Sequence, residues 1–255
     1  MPDLMESKPD TFSLTRNPTG MRHTEWHPIP GERRTIARAA SSERSILDDR
    51  TFTVRGRPRH VAPRQTIINK GDPATHLFIV VNGRVKVSAS SEDGKEITFA
   101  ILGPGEVLGE LALLAGSEHS ATVTTLEPTE LLVFERRDFL ALIQGQPDFA
   151  VDLLTTVCTR LRCSTEMTED LSFLPLPVRL AKKLVTLARA YGTSTSRGMR
   201  IGLHLCQQEL ANLVGTTRES VNKQLAFWQA EGLVATEKGF LVIRDMPAFV
   251  SRFRL

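Results

Sequence analysis

The stretch Gly109-Glu110-Leu111-Ala112-Leu113-Leu114-Ala115-Gly116-Ser117-Glu118-His119-Ser120-Ala121-Thr122-Val123 decides how the rest of the chain is read. A glycine precedes a carboxylate and a short apolar helical turn. A small polar loop follows, and Ser120-Ala121-Thr122-Val123 opens a strand. Glycine at position 109 lets the backbone approach a ligand closely. The turn behind it points free N–H groups outward, which suits an anion. Glu110 suits hydrogen bonds from a sugar hydroxyl, and Ser120 suits a hydrogen bond to a phosphate. A strand, turn and helix with no ligand would use the same residues, so the flanks decide.

Upstream, from Thr51 to Phe134, the chain reads as many short strands. Thr66-Ile67-Ile68 precedes a Lys70-Gly71-Asp72-Pro73 turn. Leu77 to Val81 is a continuous apolar strand, and Asn82-Gly83 behind it is a strong hairpin signal. Arg84 to Ser88 alternates polar and apolar residues, as a half-buried strand should. Asp93-Gly94 turns the chain into Lys95–Leu102, and Gly103-Pro104-Gly105 breaks it before the quoted stretch. Strands follow over Ala121–Thr125 and Glu130–Phe134. Such spacing predicts a double-sheet β-roll of the jelly-roll type over residues 51–146. Rolls of this shape also serve cupin-like enzymes, which need converging His and carboxylate ligands. His60, His76 and His119 are scattered and make no His-x-His pair, so no metal site and no catalytic constellation is expected.

Downstream, a long helix is predicted over 147–171, opened by Gln146-Pro147-Asp148. Ala150, Leu154, Val157, Leu161, Ser164, Thr168 and Leu171 recur at spacings of four and three, a coiled-coil seam that turns polar toward its end. An amphipathic helix packed on its own domain is the competing reading. Residues 172–177, with Pro175 and Pro177, form a short stiff hinge. Residues 178–255 follow as a separate domain. Val178–Tyr191 is helical by periodicity, and Gly192–Arg197 reads as loop. Gln207 to Leu225 reads as two short helices about a turn at Gly215, a helix-turn-helix. Arg218, Glu219, Asn222 and Lys223 lie in the first two turns of its second helix, where base contacts are made. A merely solvated first turn, with Glu219 favouring the helix dipole, competes with that reading. Cys206 precedes the first helix where Ser or Thr makes a better cap, so a weak cap is expected. Leu233–Thr236 and Phe240–Ile243 make a β-hairpin wing about Glu237-Lys238-Gly239.

The totals agree with this plan. The chain has 255 residues, 41% apolar and 24% charged, enough for two ordinary domains. Its net charge of +3 is unevenly spread, with 12 Lys/Arg against 5 Asp/Glu from Pro177 onward. A basic C-terminal piece is the footprint expected of nucleic-acid binding. No apolar run approaches the roughly 18 residues of a membrane span, and the N-terminus lacks a signal-peptide plan, so a cytoplasmic protein is expected. Cys158, Cys163 and Cys206 form neither a metal spacing nor a disulfide framework. Residues 1–50 are weakly patterned and read as a loosely ordered arm, with a short helix at Ser42–Asp48 as its one candidate element. Its His23, Trp26 and His27 are better read as local packing than as ligands.

With its flanks, the quoted stretch resembles the phosphate-binding cassette of the cAMP receptor protein (Crp/Fnr) family of bacterial transcription regulators. The family cassette reads Gly-Glu-Leu and, after a short loop, Arg-Ser-Ala or Arg-Thr-Ala. Here Gly109, Glu110, Leu111, Ser120 and Ala121 match, and His119 stands in place of the arginine. The resemblance extends from Val54 to Asp245 and implies an α+β chain: a cyclic-nucleotide-binding β-roll, a long dimerisation helix and a C-terminal winged helix-turn-helix. It implies effector contacts from Gly109, Glu110, Leu111, His119 and Ser120. Ser164 and Thr165 would reach the base, one of them from the partner subunit. It implies DNA contacts from Gln208, Thr216, Thr217, Arg218, Glu219, Asn222 and Lys223. The expected protein is a homodimeric regulator of a palindromic double-stranded DNA site, with RNA polymerase as a further partner. Its effector would be a cyclic nucleotide, cAMP or cGMP, held weakly because of His119. The same architecture working without ligand, or with a non-nucleotide effector, is the alternative.

Overall fold

The computed structural model describes residues 56–255 and, in the N-terminal arm, the strands β1 (Phe12–Arg16) and β2 (Arg22–Trp26). The two strands pair antiparallel, with Phe12 opposite Trp26 and Leu14 opposite Thr24. Poor hydrophobic periodicity hides this pairing in the sequence. His23 and Trp26 belong to β2, whereas His27 and the candidate helix at Ser42–Asp48 lie outside the described residues.

The β-roll then runs β3 (Arg57–Val61), β4 (Thr66–Ile68), β5 (His76–Asn82), β6 (Val85–Ser90), β7 (Glu96–Leu102) and β8 (Val107–Leu108). A short helix α1 (Glu110–Ala115) leads to β9 (Thr122–Thr125) and β10 (Thr129–Glu135). They form two antiparallel four-stranded sheets, in the orders β3-β10-β5-β8 and β4-β9-β6-β7. Leu77, Ile79, Phe134 and Leu113 fill one core, and Phe78, Val80, Val85 and Leu131 fill another. Strand β5 is buried on both faces, which is why its apolar run is unbroken. The Asn82-Gly83 hairpin expectation is corrected. The turn exists, but β5 and β6 lie in different sheets, so it carries the chain across the roll. Residue Arg84 beyond the turn accepts a bond from the Leu126 N–H at 2.9 Å, drawing the chain into the second sheet. Asp93-Gly94 closes the ladder hairpin instead, between β6 and β7.

Helix α2 (Arg136–Gly145) follows β10 directly and has no counterpart in the sequence reading. It buries Phe139 and Leu142, the former meeting Phe149 edge-on at 6.1 Å. Helix α3 spans Pro147–Phe173, and buries Phe149 and Leu153 against the roll. Its other face is bare: Leu154 is 62% exposed, Leu161 68% and Phe173 81%. Only Leu174 and Pro175 separate it from α4 (Leu176–Tyr191).

The C-terminal domain continues with β11 (Gly192–Thr195), β12 (Gly198–Ile201), α5 (Gln207–Val214), α6 (Arg218–Ala230), β13 (Val234–Glu237), β14 (Phe240–Ile243) and α7 (Met246–Phe253). The loop expected at Gly192–Arg197 is therefore partly a strand, because β12 offers its free edge while pairing with β14 on the other side. The sheet order β11-β12-β14-β13 places the expected wing at one edge. Leu180, Leu184, Leu210, Val221 and Trp228 form the domain core, and α7 seals it by packing Phe249 and Phe253 on Trp228.

The two domains touch. Strand β7 lies along α5, where Glu96 Oε1 accepts from Lys86 Nζ at 2.6 Å and from Asn212 Nδ2 at 3.0 Å. Asn212 is only 6% exposed, and its Oδ1 accepts from Gln208 Nε2 at 2.8 Å. At the other end of β7 the Tyr191 hydroxyl donates to Ile101 O at 3.3 Å, with the Arg84 guanidinium 5.3 Å above its ring. Burial, reinforced by the charge of Glu106 and opposed by Arg84, pushes the Tyr191 phenol up to about 12. Among the described residues no helix is long and apolar enough to cross a membrane.

Candidate functional site

Gly109 has φ of +83°, the left-handed region that glycine reaches at least cost. A Cβ here would lie 3.1 Å from His76 O and 3.3 Å from His119 Cε1. The glycine thus lets the His119 ring close over the start of α1. The loop holds His119 by backbone bonds to the 69–73 turn, with its N–H donating to Asp72 O at 2.9 Å and its carbonyl accepting from Gly71 N at 2.8 Å. Burial lowers the His119 imidazole, and the negative charges of Asp72 and Glu110 only partly oppose this. His119 is consequently neutral near pH 7, unlike the guanidinium whose place it takes.

Glu110 is 2% exposed, and a buried carboxylate needs a partner. Arg160 of α3 supplies it, with Nη1 on Glu110 Oε1 and Nη2 donating to Val107 O at 2.8 Å. Sequence reading missed Arg160. Its signal was its place one helical turn before Ser164, on the face that carries the hydroxyl pair. Glu106 lies close by, taking the Gly103 N–H at 2.7 Å. Burial pushes its carboxyl up, the Gly103 bond and the Arg160 charge pull it back, and the charge of Glu110 adds to the rise. Ser120 follows His119 and is exposed. Ser164 and Thr165 are exposed too, and donate to Arg160 O at 3.0 Å and Leu161 O at 3.1 Å. Their oxygens keep acceptor capacity for a ligand's N–H groups. Leu111 is 45% exposed while Ala112 and Leu113 are buried, so it contributes apolar surface rather than core. Gly109, Glu110 and His119 are thus brought together, and α3 closes on them through Arg160.

The second constellation lies on α5 and α6. Gly215 takes a left-handed φ of +64° at the end of α5, and a Cβ there would come within 2.5 Å of Leu171 Cδ2. The turn of the helix-turn-helix therefore abuts the end of α3. Arg179 ties the same corner, donating to Leu174 O at 2.8 Å and to Val214 O at 3.2 Å. Thr217 caps α6, its hydroxyl accepting from Ser220 N at 3.2 Å, so that group is committed to the helix start. Arg218, Glu219, Asn222 and Lys223 are exposed together in the first turns of α6, with Gln208 exposed on α5 and Thr216 half-buried between them. The weak cap expected at Cys206 is strengthened from the other side, since its N–H donates to Glu209 Oε2 at 2.7 Å. Gln207 Nε2 donates to Asn222 Oδ1 at 2.8 Å, a link between the two helices that the sequence did not announce.

Comparison with known proteins places these features in company. A family model for the cyclic nucleotide-binding domain matches residues 58–146, and one for the Crp-like helix-turn-helix domain matches residues 178–251. The chain is 32% identical over 189 residues to a CRP-like cAMP-activated global transcriptional regulator of Mycobacterium tuberculosis, covering 74% of this chain and 84% of the relative. It is 36% identical over 179 residues to a cyclic AMP receptor protein of Thermus thermophilus, covering 70% and 80%. Among solved structures, the c-di-GMP responsive global regulator CLP of Xanthomonas campestris superposes with a TM-score of 0.68 at 27% identity, covering 77% of this chain and 97% of that one.

Proposed function

Because the chain belongs to the cAMP receptor protein (Crp/Fnr) family of transcription regulators and is not an enzyme, we propose that it works as a homodimer in the cytoplasm, binding a palindromic DNA site under control of a cyclic nucleotide. The observation that carries this reading is the bare face of α3. Leu154 and Leu161 stand exposed on the seam, while Phe149 and Leu153 of the same helix pack on the roll. The helix thus has a second apolar face for a second copy, and that face turns polar at Ser164, one turn beyond the Arg160 that holds Glu110. In this reading the effector lies between Gly109, Glu110, Leu111, His119 and Ser120 of one subunit and the Ser164 and Thr165 hydroxyls along the seam. Its binding resets the two α3 helices, which abut the helix-turn-helix at Gly215. Two α6 helices then meet half-sites roughly 34 Å apart. Arg218 and Glu219 read a G·C pair, with Asn222 and Lys223 beside them and Gln208, Thr216 and Thr217 near phosphates. RNA polymerase is the partner through which such binding acts on transcription.

A specific observation favours a second reading of the effector. Asp72 and Glu110 set two carboxyl groups beside a neutral His119, Glu106 lies near Glu110, and the Arg160 guanidinium is engaged by Glu110. An effector with less phosphate charge, or none, suits that balance. Calorimetric titration of the full chain with cAMP and with cGMP tests the point, alongside light scattering for the dimer. Saturable binding of either nucleotide to a dimer upholds the first reading. A dimer that selects a DNA palindrome yet binds neither nucleotide transfers the site to the second.

A further inference from the structure

We propose that Gln207 is a positioning residue that sets which base edge Asn222 reads, by engaging its Oδ1 and turning its donors toward the groove. This rests on α6 being the recognition helix.

An unrestrained asparagine offers two donors and one acceptor oxygen with two lone pairs, and its best partner in the major groove is adenine, bonded through N6 and N7. Asn222 is not unrestrained. It lies one helical turn beyond Arg218 on the exposed face of α6, and its Oδ1 accepts from Gln207 Nε2 at 2.8 Å. The amide is planar, so engaging Oδ1 toward α5 turns the Nδ2 hydrogens away from it. The direction of the bond has its own cause. Cys206, Gln207, Gln208 and Arg218 line one cleft between the two helices. Guanidinium has donors and no acceptor, which favours the Gln207 carbonyl on the Arg218 side and its NH2 group toward Asn222. Gln207 is half-buried at the first position of α5. Position 222 then offers its N–H groups ahead of an acceptor with one lone pair already taken. That set favours guanine N7 and O6 or thymine O4 over the bidentate bond to adenine.

The amide of residue 207 works as the selector. Gln207→Glu is nearly isosteric, but a carboxylate cannot donate. Asn222 must then turn its Nδ2 inward and its Oδ1 outward, and an outward acceptor selects cytosine N4 or adenine N6. The acid is favoured at the start of α5, so the fold tolerates it.

The experiment is selection of the full-length protein, with its effector where one is required, on palindromic duplexes with randomised half-sites. Asn222→Ala should flatten the preference at one base pair per half-site and so identify it, the rest of the palindrome being kept. At that pair the parent should select guanine or thymine. Gln207→Glu should move the selection to cytosine or adenine by about tenfold, the worth of one well-placed base contact. Gln207→Ala, which frees the amide, should admit adenine. If Gln207→Glu and Gln207→Ala both keep the parent's base, or Asn222→Ala flattens nothing, the inference is overturned while the DNA-binding reading stands. If the parent itself selects no palindrome, both fall together. A loss of helix-turn-helix structure would weaken every base pair alike, whereas a change of base at one pair belongs to positioning.

Discussion

His119 is one side chain whose chemistry decides an affinity. An arginine there would give a cyclic phosphate a permanent, forked charge. Imidazole offers one donor on that side, and burial lowers its pKa below the ordinary value of about 6.5. A bound phosphate favours the protonated ring, so affinity for cAMP should rise as pH falls and level off only below the free protein's depressed value. Replacing one charge-assisted bond is worth roughly 1.5–3 kcal/mol, a ten- to hundredfold effect. His119→Arg should therefore tighten cAMP by about that factor and flatten the pH dependence, both measured by calorimetry across pH 5–8 or so. A variant that binds no better than the parent would remove the cyclic phosphate from this pocket. Much of the pocket was legible because its parts are contiguous: Gly109, Glu110, His119 and Ser120 fall within one short run. Arg160 was not, because a salt bridge spanning 50 residues leaves no local pattern. Only the buried Glu110 makes a cationic partner compulsory, and burial is not written in the order of residues.

At the scale of elements, α3 offers two apolar faces to two different neighbours. Leu161→Glu should separate the copies without unfolding either, since Leu161 is exposed in the single chain. Two carboxylates facing each other across a dry seam have no partners to offset their desolvation. Light scattering should then report monomers, the melting temperature of the chain should shift little, and binding to the selected palindrome should be lost. A variant that stays dimeric at micromolar concentration would place the interface elsewhere. Long periodic elements such as α3 and α4 were readable because many residues vote on one period. The Asn82-Gly83 turn misled because a turn fixes local direction but not which strand it feeds; the sheet crossing depends on β9 pairing with β6 from forty residues away. Helix α2 escaped because it follows β10 with no punctuating Gly or Pro between them.

At the scale of the whole molecule, the feature with the widest consequence is Tyr191, wedged between Ile101 and Arg84 where the domains meet. It is the only tyrosine in the chain, so the protein carries a built-in optical gauge of its own domain separation. Burial, reinforced by the charge of Glu106 from the roll, raises the phenol from its ordinary value of about 10 to about 12. Protonated tyrosine is common to docked and undocked forms below pH 10 or so, and the junction keeps its full strength there. Above it the undocked form gives up its proton first, and docking weakens as pH rises toward about 12. Asn212→Asp sets a carboxylate against Glu96 and should open the junction. Ultraviolet difference titration should then show phenolate near pH 12 in the parent and at lower pH in that variant, shifted toward the ordinary value of about 10. Identical curves would mean that the two domains part at some other seam. An effector that separates the domains must move the same absorbance, so one unlabelled chromophore reports whether signal has crossed from roll to winged helix.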